Sequence, residues 1–152
     1  MYNVNIIFTK HRESGICNIN ELYKIIKHIE PEIIFEEISP LRHNAYYSDN
    51  SVSTLETKAI KMYKKEHLIK NIPIDKHYDL KEVKKHYENY GLLNDVFFDY
   101  SFEYCELWAY IVKTVELKGF AFLNNSEYTK LSKLLHQIEE KTINSLWYCF
   151  DN

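Results

Sequence analysis

The sequence predicts an α/β fold in which a small parallel sheet of about three strands precedes an α-helical half packed on it. Two observations lead to this prediction. Short apolar runs alternate with amphipathic stretches through the first half of the 152 residues, and successive parallel strands need such crossover helices. The second half is rich in apolar and aromatic residues at helical spacing. We expect a single domain over residues 1–152, with a β/α part in 1–90 that carries the candidate site and an aromatic-rich helical part in 91–152.

The predicted strands are three short apolar runs in the first half of the chain. Val4–Phe8 and Glu32–Phe35 contain the β-branched and aromatic residues that favour strands. Leu68–Ile74 is a third candidate, although its proline suits a strand end better than a central position. Between the first two runs, Ile19–Glu30 places apolar residues three to four positions apart, which predicts an amphipathic helix. This order of elements is typical of a parallel sheet.

Capping signals predict where the next two helices begin and end. Ser53 followed by Glu56 has the spacing of a capping box, so a helix is expected directly behind it. Asp79 with Glu82 gives a second helix start, and Gly91 suits the position just past that helix. Glu56 is therefore first interpreted as a capping residue.

The remaining segments are a polar loop and two further helices. Residues 36–51 are polar, irregular and numerous enough to predict a functional loop. Asn94–Leu117 and Ser126–Asn144 carry apolar residues at helical spacing and are each predicted as one helix. Their aromatic residues are expected to fill a core.

Composition excludes several classes of function. The three glycines stand far apart, so a phosphate-binding P-loop and a GxGxxG dinucleotide turn are both excluded. A net charge of −3 gives no general attraction to nucleic acid or to an anionic membrane, and no apolar run is long enough to span a bilayer. The three cysteines lack disulfide or zinc spacing, which indicates a reducing compartment. We expect a cytoplasmic protein without nucleic-acid or membrane partners.

Titratable side chains stand just past each predicted strand. In chain order they are His11, then Glu36, Glu37 and Arg42, then Asp75 and His77. Ligands of open parallel sheets bind beyond the carboxyl ends of the strands, so these groups are expected to meet at one rim. There they could bind a divalent metal or serve as general base and acid. Each also has an ordinary interpretation, as a solvated loop residue, a turn residue or a surface ion-pair partner.

Part of this pattern resembles a known superfamily. A strand, the turn Phe8–His11, a helix and the run Pro31–Glu37 followed by Arg42 together resemble the opening of the TraB/Tiki superfamily. That group includes the TraB, Tiki, erythromycin-esterase-like and ChaN-type haem-binding proteins. The resemblance covers roughly residues 4–77, about half of the chain. By spacing from the proline, Glu37 matches the family glutamate, with the preceding glutamate as the alternative.

The chain departs from the family pattern in two respects, so the resemblance implies a short or truncated member. Phe8 stands where the family turn has glycine. The second histidine motif of the family is absent after Gly119. This absence favours the alternative of a non-catalytic binding or protein-interaction module on the same scaffold.

The resemblance implies a hydrolase of an ester or amide that is metal-dependent or assisted by histidine and glutamate. Its substrate would be a small molecule or a peptide. His11 would be the general base, Glu37 or Glu36 an acid or base, and Arg42 would hold a carboxylate or an oxyanion.

The same resemblance implies a cofactor. In the metal-dependent version, Mn²⁺, Co²⁺ or Zn²⁺ would be bound by a ligand set consisting of His11, Glu37, Asp75 and His77. Haem, as in the ChaN-type relatives, is the alternative.

Overall fold

The computed structural model describes residues 3–48, 52–76 and 80–150, with the backbone alone at positions 80, 82, 83, 86 and 147–150. Its elements are, in chain order, α1 (Ile19–Ile29), β1 (Ile33–Glu36), a 3-10 turn (Pro40–Arg42), α2 (His43–Tyr47), α3 (Leu55–Glu66), β2 (Lys70–Pro73), α4 (Leu80–Tyr100), α5 (Phe102–Leu123) and α6 (Ser126–Phe150). The fold is mixed α/β and mostly helical, with a two-stranded parallel sheet. The α/β prediction is confirmed at this level.

The sheet contains two of the three predicted strands. β1 and β2 pair in parallel, with Ile33 opposite Lys70 and Glu36 opposite Pro73. The first predicted strand is not confirmed, because Val4–Phe8 lies outside the sheet. An apolar, β-branched run becomes a strand only where a neighbouring strand accepts it, and its sequence does not specify that neighbour.

Helix α1 forms as predicted and both of its ends have local causes. The Asn18 side chain accepts a hydrogen bond from the Glu21 amide at 3.1 Å, which caps the first turn. Glu30 ends the helix in the left-handed conformation, with φ 50°, and its amide donates to the Ile26 carbonyl. Pro31 then prevents the helix from continuing. The prediction of this helix is confirmed.

The N-terminal cap of helix α3 lies one residue later than predicted. Thr54, not Ser53, is the capping residue: its hydroxyl accepts from the Thr57 amide at 3.3 Å, and the Thr57 hydroxyl accepts from the Thr54 amide at 2.9 Å. The predicted capping pair of Ser53 with Glu56 is therefore wrong. The shift leaves the Glu56 side chain available for other contacts.

The described residues form two compact units. The first consists of residues 3–48 and 52–76 together with Val115–Phe120. In it, α1 contacts α3, and each helix buries an apolar face. The segment from α5 is joined to the first unit by a hydrogen bond from the Ile16 amide to the Glu116 carbonyl at 3.0 Å.

The second unit consists of residues 80–114 and 121–150. Its core contains the side chains of Phe97, Tyr104 and Ile138. The predicted helix over Asn94–Leu117 is divided in two at Ser101, whose hydroxyl accepts a hydrogen bond from the Tyr104 amide at 3.2 Å and so starts α5. The predicted helix end at residue 91 is wrong, since α4 continues through that glycine to Tyr100.

Candidate functional site

A histidine–carboxylate pair lies at the start of α3. His11 Nδ1 is 3.1 Å from Glu56 Oε1, and the Thr9 hydroxyl donates to the same oxygen at 2.7 Å. The His11 side chain is 72% exposed, whereas that of Glu56 is 14% exposed. A mostly buried carboxylate therefore holds an imidazole that remains open to solvent.

Local structure positions this pair. The His11 carbonyl accepts a hydrogen bond from the Leu55 amide at 3.0 Å, which fixes the loop after residue 8 against the start of α3. Glu56 lies in the first turn of that helix, where its negative charge is favoured by the helix dipole. Because Thr54 and Thr57 cap the helix, the Glu56 carboxylate can face His11.

The pair can carry out proton transfer. When Nδ1 of His11 is protonated, it donates to Glu56 and leaves the Nε2 lone pair free to accept a proton from water. Glu56 then stabilises the imidazolium that forms. The second carboxylate oxygen, Glu56 Oε2, is buried and has no hydrogen-bond partner among the described residues.

A second polar cluster lies around the last residue of β1. Glu36 is only 6% exposed. Its Oε2 atom accepts hydrogen bonds from the Tyr47 hydroxyl at 2.6 Å and from Asn71 Nδ2 at 2.8 Å. Two neutral donors, one from α2 and one from β2, thus hold a buried carboxylate in a fixed orientation.

Tyr47 is the centre of an aromatic and cationic environment. Its ring stacks on His43 with centroids 4.8 Å apart, and the ammonium groups of Lys61 and Lys64 lie 5.3 and 5.1 Å from its centroid. Burial raises the pKa of the Tyr47 hydroxyl, and the hydrogen bond to Glu36 raises it further. The hydroxyl therefore stays protonated and remains a donor to Glu36.

The structure separates the other residues that the sequence placed at one rim. Glu37 and Arg42 are exposed. Asp75 is half-buried, and its carboxylate accepts a hydrogen bond from the Lys76 amide at 2.7 Å. His77 lies outside the described residues. Of the two adjacent glutamates, Glu36 is the buried one.

A metal centre is not formed by the part of the chain that the structure describes. Within residues 3–48, 52–76 and 80–150, no three His, Cys, Asp or Glu side chains are grouped so that they could hold an ion. His11, Glu37 and Asp75 therefore do not come together as three ligands. The four-ligand set with His77, and with it the metal or haem cofactor, stays a prediction.

Three residues of these clusters are not predicted as site residues by the sequence, namely Glu56, Tyr47 and Asn71. Glu56 was explained as a cap, and Tyr47 lies in a segment predicted to be a loop. Asn71 carries a usable signal, because it is an uncharged polar residue within the mostly apolar run Leu68–Ile74, where Lys70 is the other polar residue. Such a residue has to find a hydrogen-bond partner inside the fold.

Cys17 is not arranged as a nucleophile. It is fully buried, and that burial raises the pKa of its thiol. A raised pKa leaves little of the reactive thiolate at neutral pH. The histidine and carboxylate clusters are therefore the better candidates for chemistry.

Comparisons with known proteins give no further assignment. No protein-family model matches the sequence, and neither the curated proteins nor the solved structures contain a match. The resemblance to the TraB/Tiki superfamily therefore stays a prediction. Among the helices of the described residues, none is both long enough and apolar enough to cross a membrane.

Proposed function

We propose that the chain hydrolyses an ester or amide with His11 as the general base. The observation that supports this proposal is the 3.1 Å contact between His11 Nδ1 and the mostly buried Glu56 carboxylate. An exposed imidazole held by a carboxylate in this way resembles the base and orienting group of many hydrolases.

The proposed reaction uses water as the nucleophile. Nε2 of His11 accepts a proton from water while the water oxygen bonds to the carbonyl carbon of the substrate. Glu56 stabilises the positive charge that develops on the imidazole. The tetrahedral intermediate then breaks its bond to the leaving oxygen or nitrogen, which takes the proton back from Nε2. The products are a carboxylic acid and an alcohol or amine.

Thr9 has a positioning role in this scheme. Its hydroxyl donates to Glu56 Oε1, the same oxygen that faces His11. Two donors on one oxygen fix the orientation of the carboxylate, so the imidazole keeps one tautomer and one direction. Both Arg42 and Glu37 are exposed. Arg42 stays a candidate for holding a carboxylate or an oxyanion, and Glu37 stays a candidate acid or base.

The test is hydrolysis of p-nitrophenyl acetate and butyrate, followed by the absorbance of p-nitrophenolate. His11→Gln should lower the rate by about 10²–10⁴-fold, the usual contribution of a general base. Glu56→Gln should lower it less, because the imidazole remains but loses its orientation.

His136→Gln is the matched control. His136 Nδ1 lies 3.2 Å from Glu139 Oε2, and the His136 side chain is 70% exposed. This variant removes an equally exposed histidine–carboxylate pair from α6 and should leave the rate unchanged. If the His11 and His136 variants hydrolyse the esters as fast as the wild type does, the proposal is wrong.

The same assay distinguishes metal-dependent hydrolysis from hydrolysis by the histidine and carboxylate alone. Treatment with EDTA should leave the rate unchanged when histidine and carboxylate suffice. Loss of activity on chelation and its return with Mn²⁺, Co²⁺ or Zn²⁺ would favour the metal-dependent version instead.

A non-catalytic interaction module is the second candidate, and the N-terminal segment favours it. The side chains of Val4, Ile6 and Phe8 are exposed, although their sequence is apolar. This candidate predicts that a partner is captured by the wild type and by the double variant His11→Gln, Glu37→Gln. A bait carrying Val4→Ser and Ile6→Ser should lose that partner.

A further inference from the structure

We propose that Glu36, Asn71 and His43 form a binding site for a protonated primary amine. This site goes beyond the proposed hydrolase, because it uses none of the residues that carry the hydrolytic step. Its ligand class follows from the polar atoms that the fold buries and leaves without partners.

Among the residues that the structure describes, three buried atoms of this cluster have no hydrogen-bond partner: Glu36 Oε1, Asn71 Oδ1 and His43 Nε2. More than about 90% of buried polar atoms in native proteins are paired with protein or water. A buried acceptor without a donor destabilises the folded state, and a charged acceptor destabilises it more. Three of them on connected side chains therefore have hydrogen-bonding capacity that the described residues do not fill, and a ligand with N–H donors would fill it.

The three atoms belong to side chains that are linked to one another. Asn71 Nδ2 donates to Glu36 Oε2 at 2.8 Å, so the unpartnered atoms Asn71 Oδ1 and Glu36 Oε1 are the second polar atoms of two groups that already touch. His43 joins them through Tyr47, which stacks on the His43 ring and donates to Glu36 Oε2 at 2.6 Å.

The position in the fold agrees with ligand binding. Glu36 is the last residue of β1, and Asn71 lies on the neighbouring parallel strand. Ligands of parallel sheets bind beyond the carboxyl ends of the strands, which is where Glu36 lies. Asn71 stands two residues before the end of β2, opposite Ile34, and its side chain reaches Glu36. Glu36 is also more than nine-tenths buried, so its free oxygen belongs to the interior of the fold rather than to its solvated surface.

The chemistry of the three atoms selects an ammonium group. Glu36 Oε1 and Asn71 Oδ1 can only accept hydrogen bonds, and His43 Nε2 accepts when its ring proton is on Nδ1. A primary ammonium has three N–H donors and one positive charge, which matches three acceptors and one carboxylate. An anionic ligand would place its charge against Glu36 and satisfy neither oxygen.

The charges of two neighbouring lysines predict in which direction a lysine substitution changes the affinity for ammonium. Lys61 and Lys64 lie on the Tyr47 ring, and their positive charge opposes the entry of another cation. Lys64→Gln should therefore tighten the binding of an ammonium ion. A site for an anion would respond in the opposite direction.

The experiment is an NMR titration at pH 7 with methylammonium chloride, observing the side-chain amide of Asn71 and the backbone amide of Glu36. Tetramethylammonium chloride has the same charge but no N–H donor, and sodium chloride matches the ionic strength. We expect a saturable shift with methylammonium alone. Nα-acetyl-lysine methylamide and glycinamide then distinguish a lysine side chain from a free α-amine as the natural source.

Variants connect the shift to the proposed residues. Glu36→Gln should weaken methylammonium binding about tenfold or more, because it removes a charge-assisted hydrogen bond. His43→Phe keeps the ring stacking with Tyr47, removes one acceptor and should weaken binding less. Glu103→Gln removes an exposed carboxylate on α5, paired with Lys141 at 3.6 Å, and should have no effect.

Several results would overturn the proposal. They are no saturable shift with methylammonium, an equal shift with tetramethylammonium, an unchanged affinity in Glu36→Gln, and a saturable shift with MgCl₂ in place of the amine. Absence of any shift would mean that ordered water satisfies the three atoms. If Glu36→Gln does not fold, the other two variants test the proposal. Weaker methylammonium binding by His43→Phe and tighter binding by Lys64→Gln would support it, and unchanged affinities would overturn it.

Discussion

Replacing Gly15 by alanine should destabilise the first unit strongly. Gly15 has φ +57°, in the left-handed region that disfavours residues with a Cβ atom. A Cβ atom at this position would lie 2.1 Å from the Glu116 carbonyl oxygen and 2.7 Å from its carbonyl carbon. Both atoms belong to the backbone, so no side-chain rotation can relieve the clash.

The expected magnitude follows from two terms. The left-handed conformation costs alanine about 1–2 kcal/mol. Inserting an atom into a closely packed contact costs about 1–3 kcal/mol more. The backbone can move apart only by weakening the 3.0 Å hydrogen bond from the Ile16 amide to the Glu116 carbonyl. We therefore expect a loss of about 2–5 kcal/mol in the free energy of unfolding.

The assay is thermal and urea unfolding followed by circular dichroism at 222 nm. A loss of this size corresponds to a fall in Tm of about 4–20 °C. Gly119→Ala should also destabilise the chain, because Gly119 has φ +56° and ψ −139°, a break in the helical backbone of α5 that alanine rarely adopts. Its Cβ atom would lie 3.0 Å from the Ile16 side chain and 3.3 Å from the Cys17 backbone nitrogen.

Gly91→Ala is the control with the opposite sign. Gly91 lies inside α4, and no atom that the structure describes lies within 4 Å of the position its Cβ would take. Alanine should therefore stabilise the helix by about 1 kcal/mol. A Gly15→Ala protein that unfolds within about 0.5 kcal/mol of the wild type, the range of an ordinary surface substitution, would refute the close approach of Gly15 to Glu116.

Two further predictions concern a helix cap and a buried phenol. Thr54→Ala should lower the free energy of unfolding, measured by urea denaturation, by about 1 kcal/mol, because it removes the cap of α3. Ser53→Ala should change this free energy little. Equal losses in the two variants would contradict the assigned cap. Burial raises the pKa of Tyr104 from 10.0 to about 12. The contribution of the neutral, buried phenol to the free energy of unfolding is therefore fully present below pH 10 and is lost as the pH rises through 12. Urea titrations at several pH values should show a shallower decline between pH 10 and 12 in Tyr104→Phe than in the wild type, and an identical decline would contradict this assignment.

The site was only partly predictable from the sequence. His11 and Glu36 were identified because they follow apolar runs, and both have structured surroundings. Their partners were not identified, because Glu56 lies 45 residues from His11 and Asn71 lies 35 residues from Glu36. Hydrophobic periodicity is a local property and carries no information about which distant side chains meet.

The sequence by itself determined the elements whose causes are local. The apolar spacing and Asn18 cap specify α1, Pro31 ends it, and the short apolar runs specify β1 and β2. Only the tertiary structure decided that Val4–Phe8 stays outside the sheet, since a strand needs a neighbouring edge. It also decided that Glu36 rather than Glu37 is buried, because a carboxylate can enter the interior only where side chains from other elements supply its hydrogen bonds.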